Sequence, residues 1–270
     1  MHKTHPLKPL QDDDKYLVPG LIKGLQILQA FTPERREMSL SEIAGHLGMS
    51  RSAAFRAVYT LAQLGYLLHD QRAARYSLGP AVLRLGYGYL ASRELVEIAL
   101  PELERLRDAT DWSAHLGVRD GRFVLYMLRV PSRKGHVSIV HVGSRLPAAG
   151  TTMGRVLLAD LSEEALIELY RDETYQYAPG HTPRSLAELI AQWRRDRQSD
   201  IVVQVGSFES GIVSIAAPVR DMANNVVAAI NITQVVSDYT SSIEAHIRKE
   251  VVRTAREISR LLGHRPDYPA

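Results

Sequence analysis

Ser50, Arg51, Ser52, Ala53, Phe55 and Arg56 fall close together in the stretch GMSRSAAFRAVY. Two more arginines, Arg72 and Arg75, follow in HDQRAARY. These residue types suit recognition rather than bond making. A guanidinium presents five N–H donors in a fixed fork and grips a planar edge or a phosphate bidentately. A serine hydroxyl donates or accepts, and a phenyl ring adds flat apolar area.

Such side chains act only if an element holds them on one side. Ser39-Leu40-Ser41-Glu42 matches the S-x-x-E capping box and opens a helix along which Ile43, Ala44 and Leu47 share a face. Gly48 ends that helix and Ser50 caps the next, on which Ala54, Val58 and Leu61 face inward. Arg51, Ser52, Phe55, Arg56 and Tyr59 are left on other sides. Two helices joined by a short glycine-containing turn form a helix-turn-helix, and the second helix of such a unit fits the major groove of B-DNA. Leu64-Gly65 ends the second helix. Tyr66-Leu67-Leu68 and Tyr76-Ser77-Leu78 then read as a hairpin whose basic tip carries Arg72 and Arg75 to backbone phosphates or a minor groove. The plainer alternative is a helical hairpin within a bundle, with solvated arginines. The order of cap, glycine, second cap and basic hairpin favours DNA.

Composition bounds the rest. The 270 residues are 45% hydrophobic and 23% charged, enough for a small domain and a larger one. Net charge is +3, but twelve basic against eight acidic residues lie up to Leu95 and twenty-one against twenty-two beyond it. The basic excess therefore sits with the helix pair. Cysteine is absent, which excludes thiolate metal sites, disulfides and a cysteine nucleophile. The N-terminus lacks the apolar core of a signal peptide, and no apolar run is long enough to span a membrane, so a cytoplasmic location is expected.

Residues 1–19 read as a polar, flexible arm, and Gly20–Phe31 as a helix. Residues 20–79 form a winged helix-turn-helix domain, and 80–95 a linker helix whose apolar side needs burial, for instance against a second copy. In 96–270 the pattern changes. A helix with Leu100, Leu103 and Leu106 leads into WSAHLGVRDGRFVLYMLRV, a hairpin turning at Asp120-Gly121. VSIVHVG reads as a strand. GTTMGRVLLADLSEEALIELY reads as two helices meeting at Leu161-Ser162, and SLAELIAQWRRDRQ as another. IVVQVG, IVSIAAPVRD and VVAAINITQVV read as strands before a long closing helix. Segregated helices and hairpin-linked strands make an α+β domain with an antiparallel sheet.

Within it, LPAAGTTMGRVLLA places Pro147, Gly150 and Gly154 where backbone must approach closely, and Thr151-Thr152 at a helix start suited to an anion. The same segment also reads as a tight strand-to-helix connection. His136 and His141 fall on opposite faces of a strand and cannot share a metal ion; no metal and no cofactor are expected. The signatures of nucleophile elbows, P-loops and dinucleotide folds are missing, and an enzyme is not expected.

Many short segments, in order, resemble those of IclR-type transcriptional regulators: GLQILQAF from Gly24, SLSEIA from Ser39, GMSRSA from Gly48, LAQLGY from Leu61, YSLG from Tyr76, LRLG from Leu83, ALPEL from Ala99, GSRLP from Gly143, MGRVLLA from Met153, IAAPV from Ile215 and AAINI from Ala228. The resemblance covers nearly the whole chain after the arm. It implies a winged helix-turn-helix domain, a linker helix and a GAF-like effector-binding domain. It implies double-stranded operator DNA and a small organic acid as partners, a homodimer or pair of dimers, and control of the catabolism of organic or aromatic acids. Matched by position, it places the effector against Gly150, Thr152, Met153, Ser214, Asn231 and Thr233, with Glu209 in a cavity-lining segment. Ser207-Phe208-Glu209-Ser210 departs from the more acidic pattern there. The competing reading is a winged-helix module that binds protein and not DNA.

Overall fold

The computed structural model describes residues 16–32, 34–85, 94–133, 140–172, 183–206, 211–235 and 240–265. The chain divides into two compact units, Met1–Ser92 and Arg93–Ala270.

In the first unit, α1 (Pro19–Gln29), α2 (Leu40–His46) and α3 (Arg51–Gln63) enclose a core of Ile27, Ala30, Phe31, Met38, Ile43, Val58 and Leu67. The expected caps form. Ser39 Oγ accepts from Glu42 N at 3.3 Å while Glu42 Oε2 accepts from Ser39 N at 2.6 Å, and Ser50 Oγ accepts from Ala53 N at 3.3 Å. Gly48 turns the chain between α2 and α3 at φ 61°, a conformation that glycine adopts without a Cβ clash. The hairpin of β2 (Leu67–Asp70) and β3 (Arg75–Leu78) gains an unforeseen partner, β1 (Met38–Ser39), which pairs with β3. Two residues are too short to show alternation in sequence. Helix α1 stops at Gln29, short of the expected Phe31, because Phe31 turns into the core. Of the expected linker helix, residues 81–85 are helical and 86–93 lie outside the described residues.

The second unit is a six-stranded antiparallel sheet in the order β6-β5-β4-β9-β8-β7. Its strands are β4 (Ser113–Asp120), β5 (Phe123–Val130), β6 (Arg145–Pro147), β7 (Val202–Val205), β8 (Ile212–Arg220) and β9 (Val226–Val235). Helices cover both faces. On one side α4 (Glu94–Thr110) packs on β4 and β5, and α8 (Ser241–Leu261) on β8 and β9. On the other, α5 (Thr152–Ala159) crosses β4, β5, β7, β8 and β9, backed by α6 (Glu163–Tyr170) and α7 (Leu186–Asp196). Alternation sorts the strands. Val202, Ala216 and Ala229 pack with Met153, Val156 and Leu157 beside α5, while Leu116, Ile215, Ile230 and Ile232 are buried toward the opposite side. This is the expected α+β arrangement: an N-terminal helix-turn-helix and a C-terminal antiparallel sheet.

One strand is corrected. VSIVHVG was expected as a strand, but its described part, 140–143, runs into a turn at Val142-Gly143, and the strand is β6, from Arg145. Gly143 at φ 88° ends the apolar run and sets up the pairing of Leu146 with Val124.

Candidate functional site

Two constellations carry the recognition chemistry, one in each unit. On α3, Ala54 and Val58 are fully buried, and Arg51, Ser52, Phe55, Arg56 and Tyr59 are exposed. Their spacing places the exposed five on one stripe. Ala53 is half-buried at the edge of that stripe. Ser50 serves as the cap, and its Oγ lies 3.2 Å from Ser52 Oγ, so both hydroxyls stand at the helix start. Arg72 is exposed in the turn between β2 and β3, where Asp70 Oδ1 accepts from the Arg72 and Ala73 amides at 2.8 and 3.1 Å. Arg75 is placed differently. Its Nη2 lies 3.1 Å from Glu42 Oε2 and donates to Glu37 O at 3.0 Å, and its Nε lies 3.9 Å from Glu37 Oε2. It faces the start of α2 and not the hairpin tip. These charges line a concavity of about 790 Å³ with Arg35 and His46, themselves paired at 3.1 Å. Within it Arg75 is paired with Glu37 and Glu42.

The second constellation lies where α5 starts over the middle of the large sheet. Gly150, Thr152 and Met153 are buried there. Gly154 makes the tight connection: a Cβ on it would stand 2.1 Å from Ala148 O. Thr151 caps α5, its Oγ1 accepting from Gly154 N at 3.2 Å. Thr152 Oγ1 lies 2.6 Å from Ser214 Oγ, and Asn231 Nδ2 donates to Ser214 Oγ at 3.0 Å. Thr233 pairs across the strands with Ser214 and stays half-buried. The structure thus brings Thr152, Ser214 and Asn231 into one hydrogen-bonded group, with Gly150 and Met153 at its edge. Glu209 and His136 lie outside the described residues, and His141 is exposed before a turn.

Three further polar residues share this floor, and sequence reasoning missed them. His115 stands opposite Asn231 on β4, Arg129 opposite His115 on β5, and Gln204 opposite Ser214 on β7. His115 Nδ1 lies 3.0 Å from Asn231 Oδ1. An amide oxygen only accepts, so Nδ1 carries the proton and Nε2 keeps a bare lone pair. Burial holds His115 neutral, its pKa lowered to about 4 against the gain from Asn231, with Arg129 adding to the lowering. His115 Nε2, Arg129 Nε and Gln204 Nε2 are buried with no hydrogen-bond partner among the described residues. Unpaired buried polar atoms are costly, and a set of them on one floor marks a place for a polar guest. Tyr126 edges onto the His115 ring at 5.7 Å between centroids, and burial raises its phenol pKa. For Arg129 and Gln204 the available signal was a polar residue inside an apolar strand, LYMLRV and VVQV, which reads equally well as solvent-facing. Across the helices Arg155 holds Asp196 through two bonds of 2.8 and 2.5 Å and fixes α5 against α7.

Among the described residues no group of His, Asp and Glu is arranged to hold a metal ion, and no helix is long and apolar enough to cross a membrane.

Comparison with known proteins agrees with this division. The IclR helix-turn-helix domain model matches residues 20–71, and the bacterial transcriptional regulator IclR C-terminal model matches 87–260. The chain is 33% identical over 240 residues to the Pca regulon regulatory protein of Pseudomonas putida, covering 88% of this chain and 82% of that protein. It is 32% identical to the p-hydroxybenzoate hydroxylase transcriptional activator of Acinetobacter baylyi, covering 84% and 85%. Among solved structures, a transcriptional regulator from Rhodococcus sp. RHA1 superposes with a TM-score of 0.78 at 33% identity, over 92% of this chain and 99% of that one. The stripe on α3 belongs to a DNA-binding domain and the polar floor to an effector-binding one, and the chain is a member of the IclR family of bacterial transcriptional regulators, which are not enzymes.

Proposed function

We propose that this regulator controls the catabolism of a small hydroxylated organic acid, an aromatic one by the company it keeps, and that it works in the cytoplasm as a homodimer or pair of dimers on palindromic operator DNA. The observation that carries the ligand reading is the bare Nε2 of neutral, buried His115 on the strand next to Arg129, whose buried Nε also has no partner among the described residues. A hydroxyl donates to the first and an acid oxygen accepts from the second. Thr152, Ser214, Asn231 and Thr233 orient the molecule, and Gly150 and Met153 shape the wall. Glu209 is retained as a ligand neighbour on the family resemblance alone. Relatives named for the Pca regulon and for p-hydroxybenzoate hydroxylase support an aromatic acid.

On the DNA side, Ser50 caps the recognition helix, Arg51, Ser52, Ala53, Phe55 and Arg56 meet the major groove, and Arg72 meets phosphate from the hairpin. Arg75 is the weaker phosphate contact of the two, because its guanidinium is already shared with Glu37 and Glu42. Self-association is supported by Leu83 and Leu85, 75% and 58% exposed in the helical stretch 81–85. Effector binding alters the spacing of the two recognition helices of a dimer.

The test is fluorescence anisotropy on DNA upstream of the gene's own operon against scrambled DNA, at low and near-physiological salt, with and without 4-hydroxybenzoate and related acids. Binding that survives the higher salt on the upstream DNA alone, and shifts with one acid, is the expected result. Weak binding equal on both DNAs sinks the operator reading. Operator binding indifferent to every hydroxylated acid sinks the ligand reading.

A further inference from the structure

We propose that Phe55, backed by Tyr59, reads the 5-methyl group of a thymine in each operator half-site. This rests on the reading that α3 enters the major groove.

Phe55 and Tyr59 are 50% and 56% exposed, one helical turn apart on α3, with ring centroids 6.1 Å apart and planes inclined by 33°. Neither ring belongs to the core cluster of the first unit. A single exposed apolar residue needs no explanation, but two touching aromatic rings on the recognition stripe leave a contiguous apolar surface in water. Around them the stripe is polar: Arg51 and Ser52 precede Phe55, and Arg56 follows it.

The major-groove edges of the bases are donors and acceptors with one exception, the C5-methyl of thymine. The arginines match guanine N7 and O6, and the hydroxyls of Ser50, the cap, and Ser52 beside it match phosphate or base. Only the methyl matches a phenyl ring. Phe55 stands one turn into α3, within the N-terminal part that reaches base edges in helix-turn-helix proteins. Tyr59 lies a turn further along and limits the swing of the Phe55 ring. The pair thus selects a thymine at a fixed place beside the guanine chosen by an arginine.

The experiment uses the full-length protein. Duplexes are selected from a random-sequence library, and the enriched duplex is remade with deoxyuridine replacing thymine one position at a time. Deoxyuridine keeps every hydrogen-bonding group and lacks only the methyl. The expected result is a three- to tenfold weakening, about the worth of one buried methyl, at one thymine per half-site. In Phe55→Ala the same replacement has no further effect. Because Phe55 lies outside the core, that variant keeps its fold, and the result on the unaltered protein stands without it. If no single deoxyuridine weakens the unaltered protein, or if Phe55→Ala still tells thymine from uracil, the proposal is overturned. If no duplex is enriched at all, the groove-binding reading falls and takes the proposal with it.

Discussion

Arg75 on β3 and Glu42 on α2 are joined at 3.1 Å, and Glu42 is the residue that closes the capping box with Ser39. One carboxylate therefore caps α2 and ties the hairpin to it. The ring of contacts is exposed and weak, so Arg75→Ala costs well under about 1 kcal/mol of stability. Its effect on DNA separates two roles. A phosphate contact contributes close to one unit to the slope of log affinity against log salt. Arg72→Ala should lower that slope by about one, while Arg75→Ala should weaken binding with little change in slope. Anisotropy titrations at several salt concentrations decide, and a full unit lost with Arg75→Ala would make it a phosphate ligand.

Arg56→Ala should weaken binding to the operator by about 1–3 kcal/mol if the guanidinium is bidentate to a base. Random DNA should be bound nearly as before. Equal losses on both would place Arg56 on phosphate.

Ser214→Ala and Asn231→Ala should abolish the response to effector while leaving operator affinity intact. The second also strips His115 Nδ1 of its partner, a buried group whose loss of hydrogen bonding costs about 1–3 kcal/mol. Ligand affinity measured by calorimetry is the check, and unchanged affinity in both variants removes these side chains from the site.

Stability should depend on pH through His115. Its folded pKa is about 4 against an ordinary value of 6.5. Between those values the unfolded chain takes up a proton that the folded chain refuses. Stability is then fully present above about pH 6.5 and falls as pH drops toward 4, by at most about 3 kcal/mol. Thermal melts from pH 7.5 to 5 should show a steeper decline for the native protein than for His115→Gln.

Gly154→Ala should destabilise the second unit by about 1–3 kcal/mol or prevent its folding, since the new Cβ meets Ala148 O at 2.1 Å. A melt no lower than that of the native protein would show that α5 can shift to admit a methyl.

The helix pair was legible in the sequence because its signals are local. The S-x-x-E box, Gly48 and Ser50 each act within a few residues, and the spacing of Ala54 and Val58 fixes which side of α3 is left outside. Ser214 and Asn231 stand out as polar residues in apolar strands, and the resemblance groups them with Thr152; the structure adds the hydrogen bonds that join the three. His115, Arg129 and Gln204 were not legible, because strand pairing decides whether a polar residue faces water or a buried floor. The pairing of His115 with Asn231 spans 116 residues. Likewise Arg75 looked like a tip residue until β1, a strand of two residues, brought Glu37 and Glu42 alongside it.

The β4–β9 pairing has a consequence for how the protein is made. These two strands are the middle of the sheet, yet one is the first strand of the second unit and the other its last. On the ribosome β4 pairs at once with β5 but must wait for most of the remaining unit to be synthesised before it finds β9, whereas the contacts within α1, α2, α3 and the hairpin are local in sequence. The half of the regulator that grips DNA is thus ready well before the half that senses the effector. A messenger truncated before Val226 would yield the DNA-binding unit without the central strand of the unit that senses the effector.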